Sequence, residues 1–133
     1  MAAKWSPPMW LILVFAWMVV VIEADSFETF KRKNVDYPEP TVHDVAVYCN
    51  DIMKRRHIRL HLNFFIHASD AQLEAICTFM GRPLTGQFRS NNRLPYTSCR
   101  ETRNGFYGLQ GTGYPVVYCQ NGKPIEFRII DHR

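Results

Sequence analysis

The chain has 133 residues and a formal charge of +4 at neutral pH, with hydrophobic residues at 47% and charged residues at 21%. That length holds one ordinary domain with a modest core and excludes a second. The mild excess of base suits an anionic surface, whether nucleic acid, glycosaminoglycan or membrane, without choosing among them.

The N-terminus stands apart from that domain. Residues 1–8 carry Lys4 and no acid, and residues 9–22 are an unbroken apolar run. That run is shorter than the roughly 20 residues a helix needs to span a bilayer. The basic start, the short run and the small Ala24 predict a secretory signal peptide over residues 1–24, cleaved to leave a domain of residues 25–133. An uncleaved signal anchor is the alternative, because Ile22 is a poor residue three places before the cut. Cleavage removes Lys4 together with Glu23 and leaves the charge unchanged. No other long apolar run follows, so the released chain is expected to be secreted, extracellular and monomeric, with no stable membrane insertion.

Phe27 and Phe30 stand one turn apart and predict a short amphipathic helix over residues 26–34, which ends on Lys31, Arg32 and Lys33. Pro38 and Pro40 stop it. Val45, Tyr48, Cys49, Ile52 and Met53 predict a second helix over residues 43–56, with Lys54, Arg55 and Arg56 set against its own negative end. Leu60, Leu62, Phe64 and Ile66 alternate with Arg59, His61, Asn63, Phe65 and His67, the pattern of a strand. Ser69 and Gln72 form a capping box for a third helix near Asp70. Residues 81–93 read as loops around a short strand. Residues 94–102, 114–119 and 125–130 read as strands, with turns at Asn104-Gly105 and Asn121-Gly122. Helices early and strands late predict an α+β domain with an antiparallel sheet.

Cys49, Cys77, Cys99 and Cys119 are an even set, which in a small secreted domain means two disulfides, in any of three pairings. No two are closer than 20 residues, which excludes the usual zinc pairs. His57 and His61 are four apart with His67 nearby, but surface or half-buried histidine is the simpler reading than a zinc site. No metal and no cofactor is expected.

Several segments together resemble the pancreatic-type (ribonuclease A) superfamily, with an angiogenin-like flavour. "YCNDIMKRR" (48–56) is similar to that family's second helix, and "NFFIHAS" (63–69) to its Asn-Thr-Phe-[Val/Ile]-His segment. "LEAIC" (73–77) resembles its third helix, and "CRET" (99–102) and "VYCQNGKPIEF" (117–127) its C-terminal strands. "FKRKNVD" (30–36) resembles the end of its first helix. The resemblance implies a ribonuclease A-like fold with three short helices and a curved antiparallel sheet. It also implies the pairs Cys49–Cys99 and Cys77–Cys119.

Ribonucleases of this family cleave RNA by transphosphorylation with two histidines and a lysine. The chemistry needs groups that exchange protons near neutral pH and fixed positive charge beside the phosphate. Those positions fall here on Asn34, Leu60 and Glu126, and the pyrimidine-reading threonine falls on Phe64. The resemblance therefore implies a protein that keeps the framework, lacks the chemistry and acts by binding. Non-catalytic members are associated mostly with the male reproductive tract. The alternatives are a weak RNA endonuclease and a cationic host-defence protein. His67 resembles a framework histidine. Lys31, Arg32, Lys33, Lys54, Arg55, Arg56 and Arg59 are the candidates for binding a polyanion, either a heparin-like glycan or RNA; a cell-surface receptor is the other expected partner.

Overall fold

The computed structural model describes residues 26–133, so the expected signal peptide lies outside the described residues. Helix α1 is Phe27–Asn34 and α2 is Val45–Arg55; strand β1 is Leu62–Ile66 and α3 is Asp70–Ile76. Five strands follow: β2 Gly81–Leu84, β3 Gln87–Ser90, β4 Leu94–Thr102, β5 Gly105–Gln120 and β6 Lys123–Asp131. Each helix starts where a side chain satisfies its open N–H groups. The Ser26 hydroxyl accepts from Thr29, and the Asp44 carboxylate accepts from Ala46 and Val47. Ser69 and Gln72 form the reciprocal box that the sequence predicts. Among the described residues no helix is long and apolar enough to cross a membrane.

The strands make one antiparallel sheet in the order β1-β4-β5-β3-β2, with β6 also on β5. β5 is its spine. Its first half pairs with β4 from Gly105 to Gly113, and its second half pairs with β6 from Tyr114 to Gln120. Register shifts after Val116 and Tyr118 leave Arg128 and Ile125 as extra residues in β6, and such bulges bend the strand that carries them.

Two expectations change here. Residues 81–93 hold a hairpin of two strands, closed at Gly86 with φ 71°. β5 begins at Gly105 rather than near residue 114. Its first half carries Gly108, Gly111 and Gly113, which erase the alternation that marks a strand. Gly108 is required by packing, since a Cβ there would lie 2.2 Å from Val45 Cγ1 and 2.9 Å from Cys49 Sγ. Helix α2 therefore rests directly on the β5 backbone.

The core has two parts. Phe30, Ile66, Leu73, Ile76 and Val117 belong to one cluster, and Ile52, Met53, Ile58, Phe65 and Cys99 to the other. β1 serves both, because Phe65 and Ile66 point to opposite faces. The disulfides are Cys49–Cys99 and Cys77–Cys119, closing separations of 50 and 42 residues. In the chain-entropy model each is worth about 4 kcal/mol.

Asp36, just after α1, ties the layers together. Its carboxylate accepts from the Tyr48 hydroxyl of α2 at 2.6 Å and from the Arg56 guanidinium at 3.2 Å. Its N–H donates to Ile66, and its carbonyl accepts from His67 Nδ1 at 2.6 Å. A carbonyl cannot donate, so this contact sets the proton on Nδ1. His67 Nε2 then meets the Thr97 hydroxyl at 2.8 Å.

Burial first, then the Asp36 hydrogen bond, push the Tyr48 hydroxyl well above its usual range. A raised pKa means that the folded state holds a proton the unfolded chain gives up, so this stability is present below pH ~10 and is lost as pH rises. We expect Tyr48→Phe to cost about 1–2 kcal/mol at neutral pH. The variant should also show a shallower loss of stability above pH ~10 than the parent, measured by urea unfolding.

Candidate functional site

A cleft of about 370 Å³ opens where α1, the start of β1 and the middle of β6 meet, and Asn34, Leu60 and Glu126 all line it. The three elements reach it for separate reasons. Phe30 buries its ring in the core and places Asn34, one turn later, against β1. The residues before β1 leave Leu60 at the cleft edge, 47% exposed. Hairpin pairing of β6 with β5 sets Glu126 opposite Tyr118.

Asn34 is buried and fully oriented. Its Nδ2 donates to the Phe64 carbonyl at 3.0 Å and to Asn63 Oδ1 at 3.2 Å. Asn63 Nδ2 in turn donates to the Lys33 carbonyl at 2.6 Å. Both backbone partners accept only, so neither amide can be turned around. An amide neither takes up nor releases a proton near neutral pH, and this one is committed to holding α1 against β1.

Leu60 brings neither charge nor hydrogen bond. Glu126 is exposed and has no ion-pair partner among the described residues. A carboxylate about 4 Å from a phosphate oxygen costs up to about 4 kcal/mol at an effective dielectric near 20. Phe64 fills the remaining wall, its ring 5.4 Å from Phe127 and 5.7 Å from Tyr96. Positive charge reaches the cleft from Lys33 and Arg128. The sequence reading missed Arg128, which the β6 bulge between Phe127 and Ile129 leaves on the cleft wall.

The apolar set of β1 divides along the strand. Leu60 and Leu62 at its start are exposed, while Ile66 is buried on one face and Asn63, Phe65 and His67 on the other. Hydrogen bonds to α1 and Thr97 make it possible to bury Asn63 and His67. His57 and His61 are exposed, and among the described residues no three His, Cys, Asp or Glu side chains converge on a metal position. The C-terminal tail is better held than its sequence suggests. His132 Nε2 meets the Tyr96 hydroxyl at 2.8 Å, and Arg89 pairs with Asp131 at 2.8 Å.

Of the seven basic candidates, three have carboxylate partners, although Arg55 stays on the surface. Lys31 pairs with Asp70 at 3.0 Å and Glu28 at 3.1 Å, which holds its ammonium above the usual lysine range, Asp70 first. Arg55 pairs with Asp51 within its own helix. Arg56 is the clearest correction. Rather than facing the end of α2, its guanidinium donates to the Lys31, Arg32 and Val35 carbonyls. These carbonyls end α1, where helix carbonyls run out of intrahelical donors, although that of Lys31 also accepts from the Val35 N–H; Arg56 thus caps a helix other than its own. Arg32, Lys33, Lys54 and Arg59 remain exposed. Arg32 and Lys33 meet Arg59 and His57 around a second, smaller cavity.

Comparison with known proteins gives one consistent result. The family model described as pancreatic ribonuclease matches residues 25–128. A ribonuclease of Chelydra serpentina is 32% identical over 76% of this chain and 94% of its own length. Angiogenin-4 of Mus musculus is 30% identical over 88% of this chain and 90% of its own. The solved green turtle egg white ribonuclease superposes with a TM-score of 0.74 at 29% identity, covering 78% of this chain and 97% of the other.

Arg56, with its side chain 21% exposed, is expected to be structural. Arg56→Ala should cost about 2–3 kcal/mol in urea unfolding, since it leaves Asp36 and several carbonyls without their partner. Arg56→Lys should recover little of this, because one ammonium cannot replace a planar fork.

Proposed function

The chain belongs to the pancreatic ribonuclease family, and we propose that it is a secreted member that has lost RNA cleavage and acts by binding. One observation carries this reading: the cleft where the family's acid, base and lysine are expected holds Asn34, Leu60 and Glu126. Transphosphorylation needs one group to take the 2′-hydroxyl proton and another to protonate the leaving oxygen. Here the first position is an amide bound to two backbone-fixed partners, and the second is a carboxylate that repels the phosphate. Two disulfides and no free cysteine fit an oxidising, extracellular setting.

The surface supports a polyanion as one partner. Arg32, Lys33, Lys54 and Arg59 are exposed, and two stretches far apart in sequence bring three of them to one cavity. Contacts of this kind release counterions and weaken steeply with salt.

A fluorescent RNA cleavage assay across pH 5–8, on protein free of contaminating ribonuclease, tests the first half. No turnover above background is expected. Asn34→His, Leu60→Lys and Glu126→His together should restore a trace at most, because Phe64 still occupies the wall and a 1 Å error can cost about 10²-fold. Turnover by the native chain that Glu126→Ala abolishes would establish a weak ribonuclease instead.

Heparin-column elution tests the second half. Replacing Lys33, Lys54 and Arg59 together by alanine should lower the eluting salt markedly. Replacing Lys31 and Arg55, already ion-paired, should lower it much less.

A further inference from the structure

The sheet face beside the larger cleft carries apolar side chains that the core does not use. Leu60 and Leu62 line the cleft and are 47% and 43% exposed. Phe64 and Phe127 complete that wall. The strand register carries the same face outward. Phe64 stands opposite Ser98 of β4, and Ser98 stands opposite Leu109 of β5. Leu109 is exposed, as is Tyr107 two residues before it. In the neighbouring row Arg100 lies between Leu62 and Tyr107, where its long stem adds hydrocarbon of its own. Two strand spacings are about 10 Å, so hydrocarbon runs from the cleft out across the sheet. A scattered exposed leucine needs no explanation, but an apolar tract continuous with a cleft marks a binding surface.

The neutral polar side chains of the cleft are already engaged. Asn34 donates to the Phe64 carbonyl and to Asn63, and Asn63 donates to the Lys33 carbonyl. The Thr29 hydroxyl accepts from Ser26 at 3.1 Å. A base, a sugar or a peptide is oriented by placed neutral donors and acceptors, and here the free side chains offer hydrocarbon and charge instead. Lys33, Glu126 and Arg128 line the cleft, are exposed and have no ion-pair partner among the described residues. Two cations against one carboxylate leave one net positive charge. That balance suits a single anionic group and opposes a polyanion. The negative end of α1, which would oppose any anion, is capped by Arg56.

We propose that the cleft binds a free single-chain amphipathic monoanion, a long-chain carboxylate. Its head lies between Lys33 and Arg128, and its chain runs over Leu60 and Leu62 towards Leu109. The proposal rests on the reading that this cleft binds rather than cleaves, and it concerns a ligand other than the polyanion. The cleft volume of about 370 Å³ falls within the range of small-molecule sites. A carboxylate accepts charge-assisted hydrogen bonds from Lys and Arg, and each methylene that leaves water adds to the affinity. A lipid packed in a bilayer presents its head and hides its chain, so it does not lay hydrocarbon along this wall. The ligand is therefore a free molecule.

The test is calorimetric titration of the intact chain with dodecanoate below its micelle concentration, at about pH 7.5, where a carboxylate is ionised. Saturable binding of one molecule per chain is expected. Decanoate should bind about fourfold more weakly, because the open cleft realises about half the full gain of two buried methylenes. Dodecyltrimethylammonium, with the same chain and the opposite charge, should bind at least about tenfold more weakly. Replacing Lys33 and Arg128 together by Gln should weaken dodecanoate about tenfold, and Glu126→Gln should tighten it about threefold. Leu62→Ser should weaken it several-fold more than Leu84→Ser, which removes an equally exposed leucine from β2. Equal losses from the two leucine variants, or no gain from Glu126→Gln, would overturn the placement in the cleft. Equal or tighter binding of the cationic amphiphile would overturn the anionic head. Binding to phosphatidylglycerol vesicles with the same dependence on Leu62 would overturn the free ligand in favour of a membrane surface. Absence of dodecanoate binding up to its solubility would reject the proposal and leave the loss of RNA cleavage standing, whereas RNA turnover by the native chain would overturn the reading beneath it.

Discussion

The structure hangs on the contact between Asp36 and Arg56. One carboxylate and one guanidinium, each 21% exposed, tie the end of α1 to the end of α2. Through the Asp36 backbone they reach Ile66 and His67 of the β1 segment. A half-buried pair of this kind is stable only when its remaining hydrogen-bonding capacity is also filled. Here Tyr48 takes the second carboxylate oxygen, and helix-end carbonyls take more of the guanidinium. The arrangement fixes where α1 lies on the sheet, and so where Asn34 meets β1.

From that placement the character of the cleft follows. The fold brings together three positions from distant parts of the chain and fills them with an amide, a leucine and a carboxylate. The amide is used twice over, holding α1 to β1 through Phe64 and Asn63. Cleft and framework have therefore become one network. Phe64 and Phe127 pack against each other in the same wall, which makes that side of the cleft apolar.

Positive charge is divided between two uses. Lys31, Arg55 and Arg56 serve internal partners, and Arg89 and Arg93 stack on Tyr114 and hold the C-terminal tail. There, backbone contact with Arg133 and then the Arg89 guanidinium hold the Asp131 carboxyl below its usual range. Net charge alone therefore overstates the basic surface open to a ligand. Of the exposed cations that remain, Arg32, Lys33 and Arg59 gather around α1 and the α2–β1 segment, while Arg82, Arg100, Arg103 and Arg128 lie elsewhere.

The sequence by itself determined the helices and their starts, because Ser26, Asp44 and the Ser69–Gln72 box act within a few residues of the groups they cap. By its motifs it also indicated the family, the disulfide pairs and three residues, Asn34, Leu60 and Glu126, that prove to line one cleft. The β2–β3 hairpin and the long β5 were not legible. Glycines hide the strand pattern of β5, and the need for Gly108 arises only when Val45 and Cys49 pack on it. Arg56 read as the cap of its own helix because sequence distance stood in for spatial distance, and only folding put it against α1. The tertiary structure likewise decided which cations are paired, that β1 is buried on both faces, and that Arg32, Lys33, His57 and Arg59 share a cavity. Each depends on contacts between distant segments, which local patterns do not encode.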